Sequence, residues 1–216
     1  MKKLLLILII FSALTSLRAQ EEQVSTSNDL KWKFAIGLVP QYAIVSGMRL
    51  DFDLKIKKNQ YLTIAPQMYY NENYKMFYPD KTDMRGVGLN LNYRFLYSKT
   101  DNPEGPYIGF GLVYKYFDLK YFSETWSENS YLSNTFYTEE YGENHTEFNQ
   151  FGYDLLIGYQ GTYDRFFYDL YLGWGFRLSD FDKDNTDEDY WGETIFDPGY
   201  SGFLPTIGFR AGIFLK

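Results

Sequence analysis

The sequence predicts an all-β fold, an eight-stranded antiparallel up-and-down transmembrane β-barrel. Three observations predict it. Apolar and polar residues alternate with period two over eight segments, as in MRLDFDLKIKK at 48–58. The row facing away from the apolar one is rich in Gly and Ala, not in the Lys, Glu and Thr of a water-facing surface. The links between segments are long at one end of the strand order and short at the other. Composition agrees: 22 Tyr, 19 Phe and 18 Gly in 216 residues favour strands and turns.

The first element is not a strand. MKKLLLILIIFSALTSLRAQ has a basic start, an apolar run from Leu4 to Leu14 and a short exit sequence, which predicts a signal peptide over 1–19. The run is too short to span a bilayer as a helix. With no Cys, lipid anchoring through a thioether and disulfide formation are both excluded. Cleavage removes Lys2, Lys3 and Arg18, so 21 basic residues become 18 against 28 acidic ones, a net charge of −10. No nucleic-acid partner is expected of such a chain. Residues 20–31 are polar and predict a flexible periplasmic N-terminal tail. Residues 32–216 are the expected barrel.

The alternating segments are 32–44, 47–57, 60–71, 85–97, 106–121, 148–160, 165–178 and 202–216, a length range that suits tilted membrane strands. The apolar row is Trp32, Phe34, Ile36, Leu38, Tyr42 and Ile44 in the first and Met48, Leu50, Phe52, Leu54 and Ile56 in the second. It continues through 87–97, 108–116, 166–176 and 203–215 without a charge at mid-strand. The opposite row carries Ala35, Gly37, Gly88, Gly109, Gly111, Gly158, Gly173, Gly175, Gly208 and Gly212. Small side chains fit the cramped interior of an eight-stranded barrel. The charges on that row are Arg49, Asp51, Asp53, Lys55, Arg94, Lys115, Asp154, Asp169, Arg177 and Arg210. They predict a lumen ion-pair network, since an unpaired charge there is costly. Pro40, Pro66 and Pro205 interrupt proposed strands, where a closed ladder needs every N–H.

The first link is Val45-Ser46. The third, fifth and seventh are 71–84, 122–147 and 179–201, while 57–60, 98–105 and 161–164 are short. In an up-and-down barrel alternate links share an end, so the long ones lie outside the cell and both termini are periplasmic. The aromatic residues near strand ends, such as Tyr70, Tyr97 and Tyr159, suit the bilayer interfaces.

With KWKFAIGLVPQY at 31–42 and its Tyr-, Asn-, Lys- and Asp-rich strands, the chain resembles the small outer-membrane barrels of the OmpA/OmpX type that are abundant in Bacteroidota. The resemblance covers about residues 31–216 and carries no functional residue over. Many such barrels end in an aromatic residue, whereas this chain ends GFRAGIFLK. The resemblance implies insertion by the barrel assembly machinery, contact with outer-membrane lipid and lipopolysaccharide, and a larger outer-membrane protein as a candidate partner. It implies an envelope-structural, adhesion or membrane-complex accessory role, at the cell outer membrane.

The long links are acidic and aromatic. Residues 122–147 hold six Glu and no Lys or Arg. DFDKDNTDED at 180–189 places oxygen ligands at alternate residues, which makes Asp180, Asp182 and Asp184 a candidate site for weakly bound Ca²⁺ or Mg²⁺. The sixth position is Asn185 and the twelfth Trp191, so it is not an EF-hand loop, and a solvated acidic loop is the alternative. No other cofactor is expected. Nor is an enzyme: the only His is His145, in ENHTEF, without a nucleophile motif beside it. Two other readings stay open. One is a soluble lipocalin-like barrel with an apolar ligand, and the other a lipid A-modifying barrel enzyme.

Overall fold

The computed structural model describes residues 32–72, 81–98, 103–131, 134–181, 192 and 194–215. The expected signal peptide and tail, 1–19 and 20–31, lie outside the described residues. Eight antiparallel strands follow one another around a closed ring. They are β1 (Phe34–Leu38), β2 (Gly47–Lys57), β3 (Gln60–Glu72), β4 (Lys81–Leu96), β5 (Gly105–Tyr131), β6 (Asn134–Tyr163), β7 (Phe166–Asp180) and β8 (Gly202–Leu215). Each pairs with the next, and β8 returns to β1 in the register Phe34↔Leu215 to Leu38↔Ala211.

The period-two pattern sets the faces, because successive side chains on a strand point to opposite sides. On β2, Arg49, Asp51 and Asp53 are buried while Met48, Leu54 and Ile56 are exposed. The same holds on β7, where Phe167, Asp169 and Arg177 are buried and Phe166, Leu170, Leu172 and Trp174 are exposed. The polar row is therefore inside and the apolar row outside. Glycines on the inner row make room for large inward groups. A Cβ on Gly158 would sit 2.6 Å from the Tyr107 hydroxyl oxygen, and one on Gly212 2.6 Å from the Phe167 ring.

Four sequence expectations change. The first strand is only Phe34–Leu38, and Pro40–Val45 forms a 3₁₀ turn ended by Ser46 at φ +55°. Pro40 opens that turn, where its missing N–H has no bond to lose. Tyr42 and Ile44 are thus on the turn and not in a strand row. Trp32 precedes β1 and is 1% exposed, so it lies within the barrel end and not on the outer row. Residues 122–147 are not an open loop. β5 and β6 stay paired through Phe122↔Glu143 to Tyr131↔Asn134, beyond the last pairings with β4 (Lys81↔Tyr121) and β7 (Asn149↔Asp180). The hairpin rises about 30 Å past β4 and about 50 Å past β7 at 3.3–3.4 Å per residue. Lastly, β4 begins at Lys81, inside the expected link 71–84.

The other prolines have different local answers. Tyr70 N–H donates to Ser46 O (2.9 Å) across the β2–β3 ladder, and the alternation from there directs the Pro66 nitrogen at Leu50. The ladder skips that place, passing from Arg49↔Gln67 to Phe52↔Ile64. For β8, Phe214 N–H donates to Arg165 O (2.8 Å), so even-numbered residues bond β7 and odd-numbered ones face β1. Pro205 falls on the β1 side, above the last β1 pairing at Ala211. It faces the 3₁₀ turn, not a strand, and forfeits no ladder bond.

Candidate functional site

The interior of the ring is layered. At the end that holds Trp32 and Phe214, aromatic rings form a floor. Trp32 stacks on Tyr61 (5.3 Å between centroids, 12° between planes) and packs on Phe214 (4.4 Å), which meets Phe167 (5.2 Å). Lys55 lies with Nζ 6.0 Å from the centre of the Trp32 ring. It is therefore at the floor's rim, not in the central ion-pair layer.

Above the floor lie three arginines and three aspartates brought by four strands. Arg210 of β8 contacts Asp53 (2.9 Å) and Asp51 (3.3 Å) of β2 and Asp169 of β7 (2.7 Å). Arg94 of β4 contacts Asp53 (2.7 Å) and Asp169 (3.1 Å). Arg49 closes on Asp51 (2.7 Å). Neutral groups complete the layer: Thr63 donates to Asp53 (2.6 Å), Tyr107 donates to Asp169 (2.9 Å) and the Gln160 carbonyl accepts from Arg94 (3.1 Å). Formal charge cancels within this layer, and its side chains are buried. The space left there is about 20 Å³, room for one water, so the layer is a plug.

A second layer holds Arg177 against Asp154 (2.6 Å), with Nη1 donating to the Tyr153 and Phe176 carbonyls. Gly175 leaves the space, since a Cβ there would be 2.6 Å from both Arg177 Nη1 and Asp154 Oδ1. Above it an apolar cluster of Tyr69, Met84, Phe117, Leu119, Tyr121 and Phe148 fills one side. The other side is a vestibule of about 200 Å³. Lys115 projects into it, with Nζ 5.6 Å from the Tyr69 ring centre and 6.0 Å from that of Phe117. Among the described residues no carboxylate lies within ion-pair distance of Lys115. The network thus joins eight of the ten charges that the inner row supplied, Arg49, Asp51, Asp53, Arg94, Asp154, Asp169, Arg177 and Arg210.

The connection before β8 crosses the mouth of the vestibule. Gln150 Nε2 donates to the carbonyls of Pro198 (2.9 Å) and Tyr200 (3.2 Å) and to Ser179 Oγ (3.1 Å). Asp197 accepts from Thr194 N–H (2.7 Å) and Thr194 Oγ (3.0 Å). Burial lifts its carboxyl above the ordinary aspartate value.

Sequence reasoning missed Thr63, Tyr107, Gln150 and Gln160. Each lies on the inward parity of its strand, so the alternation pointed to them, but neutral side chains drew no attention. Asp180 is exposed at the end of β7, while Asp182 and Asp184 lie outside the described residues. No cluster of His, Asp or Glu suited to a metal occurs among the described residues. His145 is on the outer flank of the β5–β6 hairpin, bonded to Asp118 (2.8 Å) and 3.6 Å from Glu147. No protein-family model, curated protein or solved structure matches the chain.

Proposed function

We propose that the chain is a non-enzymatic outer-membrane barrel that closes its own lumen and presents a long hairpin at the cell surface. One observation carries the reading: the ring is apolar outside and ion-paired inside. Leu89, Leu91, Phe110, Leu112, Leu155, Ile157, Leu170, Leu172 and Trp174 are between 39% and 62% exposed. A continuous belt of this kind on a water-soluble ring has no counterpart in ordinary surfaces. A lipocalin-like barrel needs its apolar row inside to hold a ligand, where this chain has arginines and aspartates.

The belt also has an edge. On β5 and β6 the outward row changes from Leu112, Tyr114, Phe151 and Tyr153 to Asp118, Lys120, His145 and Glu147. Tyr114 donates to Asn149 (2.8 Å) and Tyr116 to Glu147 (2.5 Å) at the change, as interfacial tyrosines do. From Ile108 to Tyr116 the strand rises about 27 Å along itself and about 20 Å after a 40° tilt, close to the height of an outer-membrane barrel's belt.

The role we assign is display or docking through the β5–β6 hairpin: envelope-structural, adhesive, or accessory to a larger membrane complex. Fractionation tests the whole reading. The protein should enter the outer-membrane fraction, require detergent, and run as a compact band that shifts on boiling. Protease added to intact cells should cut within 122–143 and leave a barrel-sized fragment. Recovery in periplasmic extracts without detergent would end the proposal.

A further inference from the structure

The β5–β6 hairpin has two flanks, and they are not alike. β4 stays paired with β5 up to Lys81↔Tyr121, whereas β7 leaves β6 at Asn149↔Asp180. Residues Asn134–Phe148 of β6 therefore form a longer open edge than residues 122–131 of β5. Among the described residues no strand or turn bonds to it. Its backbone is oriented by the ladder. Phe214 N–H donates to Arg165 O, so odd-numbered residues of β7 bond β8 and even-numbered ones bond β6. The register carries this on: odd-numbered residues of β6 bond β7 and even-numbered ones bond β5. Past Asn149 the odd positions from Thr135 to Glu147 direct N–H and C=O away from β5, with no described strand to meet them. We propose that this edge takes up an extended, basic segment of another protein as an added strand. This rests on the display reading above and deepens it.

Strand edges in proteins are commonly guarded by Pro, Lys or a bulge, or are covered. Residues 134–148 contain no Pro, Lys or Arg, and their register with β5 runs without a shift. What the edge carries is acid. Glu139, Glu143 and Glu147 recur at every fourth residue, all at odd positions. Over 118–147 seven carboxylates stand against Lys120, a net charge of −6 with His145 neutral. Part of it is matched within the hairpin. Lys120 contacts Glu143 (3.3 Å), His145 contacts Asp118 (2.8 Å) and Tyr116 donates to Glu147 (2.5 Å). The charged side chains of these contacts are between 33% and 52% exposed, so an arriving strand still meets them. On the neighbouring strands Lys81 and Arg85 offset Asp83 and Asp180 and leave the sign unchanged.

Charge fixes the occupant. A second copy would bring the same acidic edge against itself, so the glutamates select against self-pairing. A strand with Lys or Arg at every fourth residue sets a cation opposite each of Glu139, Glu143 and Glu147. Aromatic or β-branched residues two places away then fall opposite Tyr141 and His145, pairings that suit adjacent strands. Main-chain bonds supply the affinity and the side-chain pairs the choice of partner. The edge begins beyond Tyr116↔Asn149, where the apolar belt ends, so the segment reaches it from water.

The test uses the full-length folded protein in a neutral maltoside detergent. The probe is a labelled peptide of Thr and Val, long enough to span 135–147, with Lys at every fourth position. One control peptide has Glu in place of Lys, and the other has N-methylated Lys amides. Fluorescence anisotropy should show one basic peptide bound per chain and at least about tenfold weaker binding of both controls. Hydrogen exchange should slow at Tyr137, Tyr141 and His145, which face the edge, and stay level at Phe136 and Thr138, which bond β5. Tyr141→Pro removes an edge-facing N–H and no β5 bond, so it should abolish binding while Thr138 stays protected. Glu143→Gln with Glu147→Gln should weaken binding about tenfold. Equal binding of either control, or binding that survives Tyr141→Pro, overturns the proposal. So does slow exchange at Tyr137 and Tyr141 before peptide is added. Protection that grows with protein concentration would assign the edge to a second copy, and protection independent of concentration to this chain itself. These readouts are made on folded protein, so their failure leaves surface display standing, whereas failed fractionation or surface proteolysis removes both.

Discussion

The two sides of the ring are built to different heights. On one side β5 and β6 hold a continuous register from Gly105↔Gln160 to Tyr131↔Asn134. On the other, β8 and β1 share only the stretch from Phe34↔Leu215 to Leu38↔Ala211. Closure of a barrel needs enough ladder to remove free edges in the hydrocarbon, and side chains inside can supply the rest. Here they do so at the short side. Arg210 projects from β8 just above the end of the seam and ties it to Asp51 and Asp53 of β2, past the short β1. The tall side relies on backbone, the short side on buried ion pairs.

Breaking that substitution should have the largest effect. Arg210→Met removes the cation shared by Asp51, Asp53 and Asp169, which leaves three buried carboxylates with Arg94 and Arg49 only. Such a loss costs about 3–5 kcal/mol, measured by urea unfolding of the protein in lipid vesicles. Adding Asp169→Asn to Arg210→Met should recover part of it, because the surviving charges then balance. A cost under 1 kcal/mol in the single variant would show that the ladder alone closes the seam. Next is Trp32→Ala, which empties the floor between Tyr61 and Phe214 and should cost about 3 kcal/mol in the same assay.

Two prolines sharpen the comparison at smaller scale. Pro66→Val restores an N–H aimed at Leu50 within the β2–β3 ladder and should stabilise by about 0.5–1.5 kcal/mol. Pro205→Val restores one aimed at the open part of the seam, where no strand accepts it, and should change stability by less than about 0.5 kcal/mol. Equal gains from the two would mean that the upper seam is paired after all.

The sequence made the ring legible because its information is carried by parity. Once Gly37, Gly109 and Gly175 marked the inner row, Arg49, Asp53, Arg94 and Arg210 followed onto it. Partner choice was not legible: that Arg210 meets Asp53 and not Asp154 depends on stagger around the ring, which no single strand encodes. Trp32 was misplaced because its parity was extended through a segment that is not yet strand. The first segment was drawn too long for a related reason. GLVPQYAIV alternates well enough, and only Pro40 signalled the 3₁₀ turn that takes the place of the upper part of the first strand. The hairpin at 122–147 was hidden by its charge, since its six Glu leave no unbroken apolar row to read.

The smallest expected effect is at the mouth, where the connection before β8 meets the tall wall through Gln150. Asp197 is held there by Thr194, and its raised carboxyl means that the folded form binds a proton more readily than the unfolded form. Protonation therefore favours the folded connection. That contribution is full below the unfolded aspartate value near 3.8 and is lost as pH rises through the higher folded value. Asp197→Asn keeps an acceptor for Thr194 and carries no charge at any pH, so it should hold the connection equally well from pH 3 to pH 7. Hydrogen exchange at Thr194 and Tyr200 reads this: in the parent, protection should fall from acid to neutral pH once the intrinsic rate is divided out, and in the variant it should stay level. A parent profile that rises with pH would reverse the sign and place a stabilising cation beside Asp197.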